Sequence, residues 1–194
     1  MNTTLQRCSA LALPFALALV LAGCASVQLD TTGPTATTVE ALRAANLVPA
    51  GVGVFQLAPG KDPALDTTLQ GLRGSSMAPA KGRWSQLLKD TLVAELSAAG
   101  LYNPASAWVI EGQLTDSRVD AAISKGTGRL AAQFTVKRGG QVVFDKPLAI
   151  DAQWASSFVG AVAVPEAMNQ YGAMYKQLVA KLVADPDFRR ALAR

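Results

Sequence analysis

Few side chains in this sequence combine the type and spacing that chemistry needs. Two serine pairs, Ser75-Ser76 and Ser156-Ser157, offer hydroxyl nucleophiles. A serine attacks only when a neighbouring base takes its proton. The chain holds no histidine, which excludes a Ser-His-Asp triad, a Cys-His dyad, a histidine-ligated zinc and a histidine general base. The common Ser-x-x-Lys spacing, which would supply a lysine base, does not occur either. Glu111, Asp116 and Asp120 lie close together at a strand end, an arrangement that in other settings does acid-base work or holds calcium. Arg118 falls between the two aspartates and no dense acidic loop surrounds them, so they read as solvated turn residues. Gly51-Val52-Gly53 and Gly126-Thr127-Gly128 both run into strands, not into helices, so they read as turns and not as nucleotide-binding loops. Trp84, Trp154, Tyr171 and Tyr175 could line an apolar groove between helix and sheet, but aromatic residues at helical spacing more often build a core. The expectation is a protein that is not an enzyme and holds no metal or cofactor.

Charge narrows the partners. The net charge is +4, with 16% of residues charged and 50% hydrophobic. The positive residues are scattered, and Lys137-Arg138 and Arg189-Arg190 are the adjacent pairs. No basic stripe points to nucleic acid.

The N-terminus carries the strongest pattern. Residues 1–7 are polar with a single positive charge, Arg7, and residues 10–22 read ALALPFALALVLA. Thirteen residues at about 1.5 Å each reach only about 20 Å, short of the roughly 30 Å hydrocarbon core of a bilayer. Pro14 also interrupts the helix. The segment therefore reads as the core of a signal peptide, not as a membrane-spanning helix. It ends in Leu21-Ala22-Gly23-Cys24, which resembles the lipobox of bacterial lipoproteins. The resemblance implies that residues 1–23 are removed and that Cys24 receives a diacylglyceryl group, with further acylation (palmitate is typical) on its freed amine. Several acyl chains together give stable anchoring. Cys8 leaves with the signal, so no disulfide holds the mature domain. Ala25, by the same resemblance, implies export to the outer membrane.

Residues 24–38 include Asp30-Thr31-Thr32-Gly33-Pro34-Thr35 and read as a lipidated tether that lets the domain stand off the bilayer. Residues 39–194 then form one domain. A short helix is expected over residues 39–47, and a first strand at Val52, Val54, Phe55 and Leu57, stopped by Pro59-Gly60. Residues 58–82, rich in glycine, proline and serine, read as a long connection. Loops of this length in compact domains are uncommon unless they have a task, so Arg73, Gly74, Ser75, Ser76 and Met77 are the candidate partner-binding residues. Residues 83–99 show helical periodicity through Trp84, Leu87, Leu88, Thr91, Leu92 and Leu96, with Gly100 as cap and with Lys89, Asp90 and Glu95 turned away. Three alternating strands follow, beginning near Trp108, Leu130 and Val142. Residues 116–128 link the first two, and Gly139-Gly140 forms a tight turn between the last two. Pro147 suggests an edge strand. Pro165 reads as the first residue of a last long helix, with Met168, Tyr171, Tyr175, Leu178 and Leu182 on one stripe. A short terminal helix follows Asp185-Pro186. The order β-α-β-β-β-α gives an α+β two-layer sandwich, with a mostly antiparallel four-stranded sheet and two helices on one face.

In the lipobox, the tether and this element order, the chain resembles small Gram-negative outer-membrane accessory lipoproteins, such as the lipopolysaccharide-assembly and ABC-transport auxiliary lipoproteins. The resemblance is architectural. It implies a lipid-anchored, periplasm-facing accessory that docks onto an envelope assembly or transport complex, with the membrane as one partner through Cys24. The alternative is a periplasmic lipoprotein that binds lipid or an apolar ligand between helix and sheet.

Overall fold

The computed structural model describes residues 33–194, and the backbone alone for residues 26–29. The expected signal segment, residues 1–23, and Cys24 lie outside the described residues. The elements are, in chain order, β1 (Ser26–Leu29), α1 (Ala36–Ala44), β2 (Gly51–Leu57), a 3-10 turn (Pro63–Asp66), β3 (Leu69–Leu72), β4 (Ser75–Pro79), α2 (Trp84–Ala99), β5 (Trp108–Asp120), β6 (Ser124–Arg138), β7 (Gln141–Ser156), α3 (Gly160–Ala184) and α4 (Pro186–Ala191).

Four strands in the order β2-β5-β6-β7 make the main sheet. β2 lies parallel to β5, because α2 carries the chain back across the sheet between them. The tight links then make β5, β6 and β7 antiparallel. The sheet is therefore mixed, and the chain holds more elements than the simple order expected. The architecture is α+β, with helices packed on one sheet face. Leu130, Ala132, Phe134 and Val136 of β6 alternate onto that face and are buried. They meet Leu88, Leu92 and Leu96 of α2 and Tyr171, Tyr175, Leu178 and Leu182 of α3 in one core. Each such leucine contributes about 1.5–3 kcal/mol by leaving water.

Several departures from the sequence reading have local physical causes. Residues 116–128 are not a link. β5 continues to Asp120 and β6 begins at Ser124, leaving only residues 121–123 as the turn. A bulge between Leu114 and Asp116 shifts the strand's parity, so that Ser117 and Val119 face the core. That shift hides the alternation from the sequence. α3 begins five residues before Pro165, which sits inside the helix. As the sixth helical residue it lies past the first four free N–H groups, so it leaves the Ala161 carbonyl without the i→i−4 hydrogen bond that another residue would donate. Glu95 is not turned to solvent but is 1% exposed, and its Oε1 accepts the backbone N–H of Thr35 at 2.9 Å. α1 packs over α2 and covers a flank that the periodicity of α2 alone leaves open. Part of the expected tether is ordered too: Ser26–Leu29 pairs with β4, and α1 starts at Ala36 instead of after residue 38.

Candidate functional site

The segment expected to be a long loop is built. Asp66, at the end of the 3-10 turn and fully buried, accepts the Ser85 backbone N–H at 2.6 Å and the Ser85 hydroxyl at 2.8 Å. The N-cap position of α2 is Arg83, whose side chain makes no capping bond, so Asp66 caps the helix from nineteen residues away in sequence. A helix N-terminus favours such a carboxylate through its free N–H groups and its dipole. The chain then forms the β3–β4 hairpin, and β4 lies between β1 and β3 in a second, three-stranded sheet.

This arrangement decides the fate of the candidate contact residues. Met77 is 0% exposed, and its strand is flanked on both sides. Ser75 and Ser76 are half-buried in the hairpin, with Ser76 registered against Ser26. Arg73 and Gly74 form the turn, both with positive φ (53° and 86°). The Arg73 side chain is directed inward. Its Nε donates to the Ala121 carbonyl at 2.6 Å, Nη1 to the Phe158 carbonyl at 2.8 Å, and Nη2 to the Ser157 carbonyl at 2.6 Å and to Ser156 Oγ at 3.3 Å. The planar guanidinium fork suits this multi-carbonyl grip. Residues 73–77 are thus held in a hairpin, with Met77 buried, Arg73, Ser75 and Ser76 half-buried and Gly74 exposed. Gly71 sits against the end of β5, where a Cβ would come within 2.1 Å of the Val119 carbonyl oxygen at a φ of +90°.

On the sheet face away from the helices, charged side chains of β5, β6 and β7 form a continuous ladder. Arg118 holds both carboxylate oxygens of Asp116, at 2.8 and 2.6 Å. Arg129 reaches Asp116 at 3.2 Å and both oxygens of Asp151, at 2.6 and 2.7 Å. The hydrogen bond and charge of Asp151 hold the Arg129 pKa above its ordinary value. Two of the three carboxylates singled out in the sequence are thus paired, Asp116 with two arginines and Glu111 with Lys137 at 2.7 Å, while Asp120 is exposed at the end of β5. Beside the ladder a groove of about 600 Å³ opens, walled by Leu65 and Leu69 on one side and by Arg118, Arg129, Asp151 and Gln153 on the other.

On the helix face the four aromatic candidates fill the space they would have to leave open for a ligand. Trp84 packs on Tyr171 and Tyr175 with ring centroids 5.4 and 6.2 Å apart, and all three are buried. The Tyr171 hydroxyl meets Ser117 Oγ at 2.6 Å and the Tyr175 hydroxyl at 3.1 Å. Burial pushes both phenol pKa values well up. Trp154 lies over Gly126, where a Cβ would come within 2.2 Å of its ring; the glycine makes room for the indole instead of forming a turn. Among the described residues, no helix is long and apolar enough to cross a membrane, and no group of three or more His, Cys, Asp or Glu is placed to hold a metal ion.

No family model matches the chain, and no curated protein matches it. Among solved structures, it is similar to the Xanthomonas campestris protein XCC0632, of family DUF330, at 16% identity and a TM-score of 0.53, covering 81% of this chain and 95% of that one. A minor lipoprotein of Acinetobacter baumannii (16% identity, 76% and 96% covered, TM-score 0.46) and a Caulobacter crescentus protein described as a lipoprotein (13%, 80% and 94% covered, TM-score 0.44) are also similar. The first of these likenesses establishes a shared fold.

Proposed function

We propose that this chain is a lipid-anchored accessory protein of a Gram-negative envelope, held to the periplasmic side of the outer membrane through Cys24 and docked to an envelope assembly or transport complex. The observation that carries the reading is the lipobox, Leu21-Ala22-Gly23-Cys24, behind a short apolar run. The absence of histidine and the pairing of Asp116 and Glu111 with basic side chains support a role without catalysis. Met77 is buried and Arg73 binds carbonyls within the domain, so Gly74, Ser75 and Ser76 are the candidate contact residues that keep surface for a partner. The edge of β7 near Pro147 and the groove beside Arg129 and Asp151 are further candidate docking surfaces. The groove also favours a second reading, in which it holds a lipid or another partly apolar molecule against Leu65 and Leu69.

The test is made in a Gram-negative host fed an alkyne fatty acid. Label should enter the full chain, vanish in Cys24→Ala, and fractionate with the outer membrane. Photo-crosslinkers at Val143 and Gln153, both exposed, should capture one envelope protein. A lipid-sized adduct at position 153 alone would favour the second reading. An unlabelled chain that stays in the soluble fraction would sink the proposal.

A further inference from the structure

One end of the main sheet gathers several turns. The β5–β6 link lies there, and the first residue of β6, Ser124, is registered against the last residue of β7, Ser156. The β3–β4 turn is clamped onto the same end, through Arg73, to Ala121, Ser157 and Phe158. Four large apolar side chains project there: Ile123 is 58% exposed, Phe158 79%, Val159 55% and Val162 58%. Phe158 is the most exposed large apolar side chain among the described residues. Single exposed apolar residues are ordinary, but a contiguous set of this kind marks an interaction surface.

The anchor leaves the domain at the same end. β1 runs parallel to β4 with Ser26 beside Ser76, so its first residue lies next to the Arg73–Gly74 turn. Cys24 precedes Ser26 by two residues, and two residues extend by at most about 7 Å. Chain length alone therefore limits a lipid on Cys24 to about 7 Å from the start of β1.

Resting on the anchor reading, we infer that Ile123, Phe158, Val159 and Val162 form a membrane-seating tip that buries in the surface of the bilayer carrying the acyl chains of Cys24. Apolar side chains at such an interface bury about 5–10 Å deep, at the headgroup–acyl boundary. The bilayer is the occupant because the covalent anchor delivers lipid to this end of the domain. Lys125, Asp120 and Arg73 flank the tip, and Arg73 is already bonded to the carbonyls of Ala121, Ser157 and Phe158, so the contact is carried by the apolar side chains. Seating this end turns the Gly139–Gly140 hairpin, with Val142 and Val143, away from the membrane.

The full chain, extracted from a Gram-negative host, is reconstituted in vesicles of phosphatidylethanolamine and phosphatidylglycerol that contain lipid spin-labelled near the glycerol backbone. Tryptophan is introduced as Phe158→Trp or, at the far end, Val142→Trp. Both positions are exposed, so neither change disturbs the core. Emission of the unsubstituted chain is subtracted, and intact mass reports the state of Cys24. The tip predicts severalfold stronger quenching, together with a blue shift, for Phe158→Trp than for Val142→Trp. Lipid on Cys24 with equal quenching at both positions overturns the tip and leaves the anchor standing. Quenching at position 158 with bare Cys24 keeps the tip and overturns the anchor.

Discussion

The guanidinium of Arg73 donates to the main-chain carbonyl of Phe158 across 2.8 Å, joining a hairpin turn to the approach of a helix eighty-five residues away in sequence. With its bonds to Ala121 and Ser157, it ties the β3–β4 turn to the β5–β6 link and to the end of β7. Arg73→Ala should cost about 1.5–3 kcal/mol, the range for hydrogen bonds to a charged group. Arg73→Lys should recover only part of it, since one ammonium cannot reproduce the fork. Urea unfolding would measure the loss, and limited proteolysis should show new cleavage near residues 156–160. Unchanged stability in both variants would contradict the role assigned to this side chain.

Asp66 is expected to matter as much as a core leucine. Its carboxylate takes two hydrogen bonds at the start of α2 while fully buried. Asp66→Ala should lower stability by about 2–3 kcal/mol, from lost charged hydrogen bonds and a lost cap. Ser85→Ala keeps the backbone bond and should cost less. Thermal melts of the two variants side by side would settle the order.

Gly71→Ala meets two obstacles at once, a φ of +90° and a carbonyl oxygen 2.1 Å from the new Cβ. The backbone must move, so a loss of at least about 2 kcal/mol is expected. Gly74→Ala, also at positive φ but with open space around its Cβ, should cost only about 1 kcal/mol. Equal losses in denaturant titrations would mean that conformation alone, and not the approach of β5, governs this turn.

Acid should reach this fold partly through Asp185. Burial raises its pKa, but the hydrogen bond from Lys146 and the N–H groups of Phe188 and Asp187 outweigh that effect and leave it below its usual value. The ionised group therefore contributes stability above the ordinary carboxylate range, and the contribution is lost as pH falls through the lowered folded pKa, below about 4. Asp185→Asn should be less stable at neutral pH and should flatten the acid limb of the stability profile. A variant whose profile runs parallel to the parent below that pH would rule this linkage out.

Much of the frame follows from local pattern. The periodicity of residues 84–99, the left-handed cap at Gly100 (φ 76°) and the Gly139–Gly140 turn (φ 55° and 89°) are consequences of near neighbours alone. So is the short N-terminal apolar run behind Cys24, on which the functional reading rests. Tertiary structure decided the rest, through contacts between residues far apart in the chain. Residues 58–82 look like loop because glycine, serine and proline lack intrinsic strand preference; they form β3 and β4 because β1, the end of β5 and Arg73 supply partners. Glu95 looks outward until α1 covers it. Whether an apolar side chain such as Phe158 is core or tip depends on what packs over it. Local spacing carries no information about that, because burial is set by partners that only the folded chain brings near.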